Sequence, residues 1–222
     1  MRSSVFWSLV RKDMYLMRGF MGAMVVVGLV SLVLMALGKV GFAVGGILFL
    51  TANVAGAIFI ALTILFGERK DRSRTFALSL PISGQRYEMA KLLAGYLSFG
   101  IPWLLLTTAA LCMFLLPPRE HLGMVVYALV LQGFVLALFS VALSAMFVIK
   151  SEGMSGVVIL GTNICFSLFM VTLNQPGTSG RMNTPQIVWT PFAQWMLAGE
   201  ALVIVLALAF TTFSTSRKRD YI

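Results

Sequence analysis

The sequence predicts an all-α integral membrane protein with six transmembrane helices and both termini in the cytoplasm. Three observations carry that prediction. First, only 11% of the 222 residues are charged, against roughly a quarter in soluble domains, and the mean hydropathy is +0.93. Second, the charges leave uncharged stretches at 19–38, 40–67, 92–118, 122–149 and 153–180, and a further stretch, 182–216, is broken only by Glu200. About 20 apolar residues cross a bilayer as a helix, so each stretch is long enough. Continuous apolar runs rather than alternation select helices, the form that satisfies every backbone polar group within its own segment. Third, 14 of the 17 Lys and Arg fall on the side of this topology that holds both termini; only Lys39, Arg119 and Arg181 fall on the other. The positive-inside bias makes the basic side cytoplasmic. The net charge of +9, which would suggest nucleic acid in a soluble protein, is then an orientation signal and a contact with anionic headgroups.

In chain order, residues 1–18 read as an amphipathic interfacial helix. Trp7, Val10, Met14 and Met17 share one face with Phe6 and Leu9 at its edge, and Ser4, Ser8, Arg11, Tyr15 and Arg18 lie opposite. Charges persist to Arg18 and no small-residue cleavage pattern follows, so a signal peptide is not expected. The spans are expected near 19–38, 42–67, 92–116, 122–149, 154–173 and 195–214. Pro102-Trp103 lies near the middle of span 3, where proline removes a backbone donor and favours a kink. Span 4 carries Gly133, Ala137, Ser140 and Ser144 on one face, a small-residue seam that lets helices approach closely in lipid, within the subunit or between two copies. Residues 174–194 form an outer segment whose aromatics suit the membrane interface. Cys112 and Cys165 fall inside spans 3 and 5 and read as small buried hydrophobes. His121 stands alone in an outer loop. No repeat or linker divides the chain, so one domain spans 1–222.

Several chemistries lack their residues. Gly38-Lys39 has neither the leading glycine nor the following hydroxyl residue of a phosphate-cradling loop. No His/Cys cluster or histidine pair suggests a metal or haem. Ion-coupled carriers use ionisable groups within the membrane, and Glu200 is the one such residue here. No catalytic, cofactor-binding or metal site is assigned to this chain.

The uncharged pattern breaks between spans 2 and 3. Glu68, Arg69, Lys70, Asp71, Arg72 and Arg74 leave the membrane, Phe76, Leu78 and Leu80 add apolar anchors, Pro81 stops a first helix, and Ser83 can cap a second that runs through Arg86 and Lys91 into span 3. Positive-inside topology alone accounts for the basic residues, but not for Glu68, Asp71 or the Leu80-Pro81-Ile82-Ser83 break. A short cytoplasmic helix joined rigidly to two spans can carry force from a docked protein into the bundle.

The run Glu68–Leu93, ERKDRSRTFALSLPISGQRYEMAKLL, resembles the signature of type-2 ABC exporter permeases: an acidic-basic cluster, a Leu-Pro-hydrophobic-Ser step and an Ala/Gly-Lys-Leu start of span 3. Gly84 and Gln85 stand between Ser83 and Arg86, where many members place a basic residue directly after the serine. The resemblance implies a permease subunit that pairs with a second permease, alike or different, over two ATP-binding subunits, in the bacterial cytoplasmic (inner) membrane. Residues 68–90 would be the coupling segment. Within it Glu68, Arg69, Asp71, Arg72, Arg74, Phe76, Leu78, Leu80, Pro81 and Ser83 would contact the ATPase, and ATP and Mg would sit on that partner.

Asn53, Gln132, Asn163 and Glu200 are polar residues within spans. They are candidates for a substrate path, with interhelical hydrogen bonding as the plainer role for the amides. Glu200 reads either as a path residue, paired with Arg181 or a partner subunit, or as a shallow side chain reaching the outer interface. The composite reading is an exporter of an amphipathic or hydrophobic substrate such as a peptide or antibiotic. Alternatives are a non-transporting membrane anchor or a secondary carrier.

Overall fold

A computed structural model describes residues 2–70, 84–116, 121–148, 152–175 and 184–217, with side chains over 5–64, 84–116, 121–148, 153–175 and 184–215. These residues form six helices: α1 Arg2–Met35, α2 Lys39–Lys70, α3 Gly84–Leu115, α4 Gly123–Val148, α5 Glu152–Leu173 and α6 Pro191–Arg217. All six contain a segment long and apolar enough to cross a membrane.

The N-terminal reading is corrected. Residues 2–18 do not form a separate helix: α1 runs unbroken through 34 residues, about 51 Å at 1.5 Å per residue. Nothing in the sequence stops it, since Gly19 and Gly22 cost a helix far less than a proline would. The apolar stripe meets protein rather than lipid. Val10 is buried with Ala90 and Ala94 of α3, and Phe6, Leu9 and Met14 pack around them. Trp7 stays outside this contact. α1 ends in a turn at Ala36-Leu37, and Gly38 takes φ 98°, a left-handed conformation open to a residue without Cβ. That reversal starts α2. Gly41 and Gly45, one turn apart, lie directly on the α1 backbone at Leu34 and Ser31, so the first helix pair is packed backbone to backbone.

α4 is the centre of the bundle. Buried residues make up 67% of its span, against 17% for α5 and for α6. It packs on α2 and α3 on one side and on α5 and α6 on the other, while α1 covers α2 and α3. Phe139 of α4 stacks on Phe99 of α3 at 4.4 Å, Tyr96 meets the same ring edge-on at 5.5 Å, and Ile60, Leu106 and Leu143 complete a core without exposed surface. α3 continues helically through Pro102. The outer surfaces of α5 and α6 present Leu160, Ile164, Leu168, Leu202, Leu206 and Phe210, as helices bounded by lipid do. Cys112 and Cys165 are exposed as well, which corrects their assignment as buried: hydrocarbon accommodates an apolar thiol as readily as a protein core does.

α6 begins four residues earlier than the sequence predicts. Thr190 Oγ1 accepts from the Ala193 backbone N–H at 3.1 Å, and Pro191 occupies the first helical position, where its missing N–H costs nothing. Residues 187–190 have no regular structure. Near the other end of the outer segment, Thr184 accepts from Gly123 N at 3.0 Å, tying it to the start of α4.

Candidate functional site

The residues predicted to meet an ATPase sit where α2 ends. Glu68 and Arg69 lie on the last helical turns of α2, and their side chains fall outside the described set. Asp71, Arg72, Arg74, Phe76, Leu78, Leu80, Pro81 and Ser83 lie outside the described residues altogether. The two helices flanking this segment are joined. Lys91 is buried, and its Nζ donates to the Ile64 carbonyl across the α2–α3 gap at 2.9 Å. The ammonium also lies 5.4 Å from the Tyr87 ring centroid, within cation–π range. One turn away, Ala90 and Ala94 receive Val10. The small alanines allow α1 to approach, and the lysine bridges to α2, so three helices are gripped directly beside the 71–83 segment. The sequence marks Lys91 only as the basic start of span 3; its bond to Ile64 is 27 residues distant in the chain and has no local signal.

The four polar path candidates separate. Asn53 is fully buried on α2 and donates from Nδ2 to its own helix at Phe49 O, 2.8 Å; its Oδ1 has no partner among the described residues. Asn163 is on the exposed face of α5 and bonds Ile159 O at 2.9 Å. Gln132 and Glu200, by contrast, are both buried on facing helices. Gln132 is 1% exposed and Glu200 7%. Neither oxygen of Glu200 and neither side-chain amide atom of Gln132 has a hydrogen-bond partner among the described residues. The shallow reading of Glu200 is therefore corrected: with α6 starting at Pro191, it lies nine residues inside the helix, about 13.5 Å from its start. Arg181, its suggested partner, lies outside the described residues.

The small-residue seam of α4 faces α6 within the same chain. Gly133 is pressed against the Glu200 carboxyl, with Leu197 at 3.4 Å from where a Cβ would stand. Ser144 Oγ donates to Ala207 O at 3.0 Å. Ala137 and Ser140 are buried between these contacts, with the Ser140 hydroxyl turned back to Leu136 O at 2.8 Å. Trp103 of α3 adds a third helix, its indole N–H donating to Gln132 O at 3.0 Å. No group of three His, Cys, Asp or Glu converges on a metal position among the described residues.

Six apolar helices with a charged segment between the second and third form the arrangement that a family comparison can test. A model of the ABC-2 family transporter proteins matches residues 8–218, which is every described helix over nearly its full length. The chain belongs to the ABC-2 transporter family. It is thus the membrane-spanning, transport subunit of an ABC transporter, a multi-pass protein that in bacteria resides in the inner membrane. The ABC-2 membrane subunit is not itself catalytic, and the family implies association with an ABC ATP-binding subunit. No curated protein matches the chain. No solved structure matches it either.

Proposed function

We propose that this ABC-2 subunit is the permease half of an exporter that moves an amphipathic or hydrophobic molecule outward. ATP and Mg are held by two separate ATP-binding subunits, beneath a pair of permeases. The observation that supports this reading best is the Lys91–Ile64 bond, which fastens α2 to α3 at 2.9 Å beside residues 71–83. A segment that hangs from two independent helices dissipates a push. One that hangs from two helices tied at their base delivers it to both, and through α3 to α1 and α4. In this reading residues 68–83 sit on the ATPase, with Phe76, Leu78 and Leu80 as apolar anchors and Glu68, Arg69, Asp71, Arg72 and Arg74 as charge partners. ATP-driven closure of the ATPase pair then displaces the base of α2 and α3.

The reading is tested by co-expressing the chain with ATP-binding proteins encoded beside it and purifying on a tag carried by the permease. An ATP-hydrolysing subunit is expected to copurify with the parent protein. With Phe76→Asp or Leu80→Asp it is expected to be lost, while the permease still reaches the membrane in normal amount. Full retention of the ATPase by both variants overturns the docking role of this segment. Failure of any ATP-binding subunit to copurify with the parent protein overturns the exporter reading.

A further inference from the structure

We propose that the groove between the start of α3 and the end of α6 seats an anionic phospholipid, such as phosphatidylglycerol, from the leaflet at the basic end of the bundle. Its phosphate lies at the level of Arg86 and Arg217, and one acyl chain runs along Phe213, Phe210 and Leu206.

The groove arises because α3 and α6 share only a small contact. It measures about 720 Å³ and is lined among others by Gln85 and Met89 of α3 and by Leu206, Phe210, Thr212 and Phe213 of α6. Gln85 is the second residue of α3, and Phe213 lies one turn before Arg217, the last residue of α6. The groove therefore opens in the leaflet at the basic end, which the positive-inside bias makes the cytoplasmic one. Leu206, Phe210 and Phe213 are exposed. From Leu206 to Phe213 the apolar wall runs about 10 Å, within the roughly 15 Å of hydrocarbon that one leaflet offers.

The polarity of the groove changes along its length as that of a phospholipid does. Its deep end is hydrocarbon, from Leu206 and Phe210. Toward the mouth come the Gln85 amide and the Thr212 hydroxyl, the latter donating to Ala209 O at 2.9 Å. Two arginines stand at the mouth. Arg86 is exposed on α3. Arg217 follows Phe213 by four residues on the same face of α6, about 6 Å further along the helix. The headgroup layer of one leaflet is about 5–7 Å deep, so both positions fall at its level. Glu88 is the acid nearest Arg86 in the chain, and residues two apart on a helix point nearly opposite ways. Basic residues beside a crevice between helices on the cytoplasmic side favour anionic headgroups, and arginine takes phosphate through paired hydrogen bonds. A zwitterionic headgroup brings its own ammonium to the arginines and loses that preference. A second copy of the chain would cover the apolar wall, but its surface at this end is basic as well, so the charges at the mouth favour lipid.

The test places the full chain, with any subunit that copurifies, in phosphatidylcholine vesicles. A trace of phosphatidylglycerol or of phosphatidylcholine carries a photoreactive diazirine in its acyl chain. Adducts are located by mass spectrometry. Val157 and Leu160, exposed on the face of α5 in the same leaflet, report ordinary lipid contact. At Met89 and Phe210 the phosphatidylglycerol adducts are expected to exceed the phosphatidylcholine adducts by about fivefold or more, since each basic residue at the surface contributes a factor of about that size. The α5 positions are expected to show a markedly smaller ratio. Arg86→Gln combined with Arg217→Gln is expected to bring the groove ratio down to that of α5 while the phosphatidylcholine adducts persist. Ala209→Trp, which fills the groove and keeps both arginines, is expected to remove adducts of both lipids from Met89. A parent ratio in the groove equal to that at α5 overturns the proposal, and so does an unchanged ratio in the double arginine variant. Absence of both lipids from the groove while α5 is labelled also overturns it, because a second copy or another subunit then covers that wall. Competition by soluble glycerol 3-phosphate overturns it as well, since the site would then be one for a free phosphate. The readout needs no ATP and stands or falls apart from the exporter reading.

Discussion

Replacing Lys91 with Met removes the ammonium while keeping an unbranched stem of similar reach. Two interactions of that ammonium are placed among the described residues. The bond to Ile64 O is 2.9 Å long and buried, and hydrogen bonds with an ionised partner contribute about 1.5–3 kcal/mol. The contact with Tyr87, at 5.4 Å, contributes about 0.5–1 kcal/mol. Ile64 remains within a helix, so its carbonyl adds no large penalty as an orphaned group. Lys91→Met is therefore expected to destabilise the protein by about 2–4 kcal/mol. Neutral hydrogen bonds between membrane helices average only about 0.6 kcal/mol, so the size of the loss separates a charged strap from an ordinary interhelical bond. The measurement is reversible unfolding in mixed micelles with increasing sodium dodecyl sulfate, followed by circular dichroism. Tyr87→Leu alone and combined with Lys91→Met completes a cycle that isolates the ring contact. A loss of about 0.6 kcal/mol or less refutes the claim that Lys91 fastens α2 to α3.

Gly45→Ala places a methyl against the α1 backbone at Ser31 O and Met35 N, atoms that cannot rotate away, and should cost about 1–3 kcal/mol or more in the same titration. Gly133→Ala should be destabilising because its methyl meets Glu200 Oε2; combining it with Glu200→Ala should give less than the sum of the two, by more than about 0.5 kcal/mol. Thr190→Ala removes the cap on the Ala193 N–H and should cost about 1 kcal/mol, read also as faster amide exchange confined to the first turn of α6.

The spans were legible because lipid forbids charge, and the chain therefore punctuates itself: Lys39 opens α2, and Arg119-Glu120, Lys150 and Arg181 each stand between two helices. What lipid does not police was harder to read. The start of α6 depended on Thr190-Pro191, a capping signal set among interfacial aromatics that look alike whether coiled or helical. The junction at Arg18 looked like a boundary because charge ends there, although charge does not break a helix. Cys112 and Cys165 were misplaced because apolar character carries no direction when both core and surroundings are oily. Gln132 and Glu200 could each be picked out as polar residues in apolar runs. That Glu200 meets the small-residue seam of α4 depends on the register of α4 against α6, for which Gly133 was the one visible clue. The strap from Lys91 to Ile64 joins residues on different helices, and neither end has a sequence pattern that names the other.

The position of α4 limits how this protein can change shape. Among the described residues, most of the packing between the trio α1–α3 and the helices α5 and α6 runs through it, with a smaller contact between α3 and α6. A shift of one group against the other is therefore borne mainly by that axle. A tilt of the trio at the basic end would be carried along α4 to its start beside Tyr127, some 30 Å away across the hydrocarbon thickness.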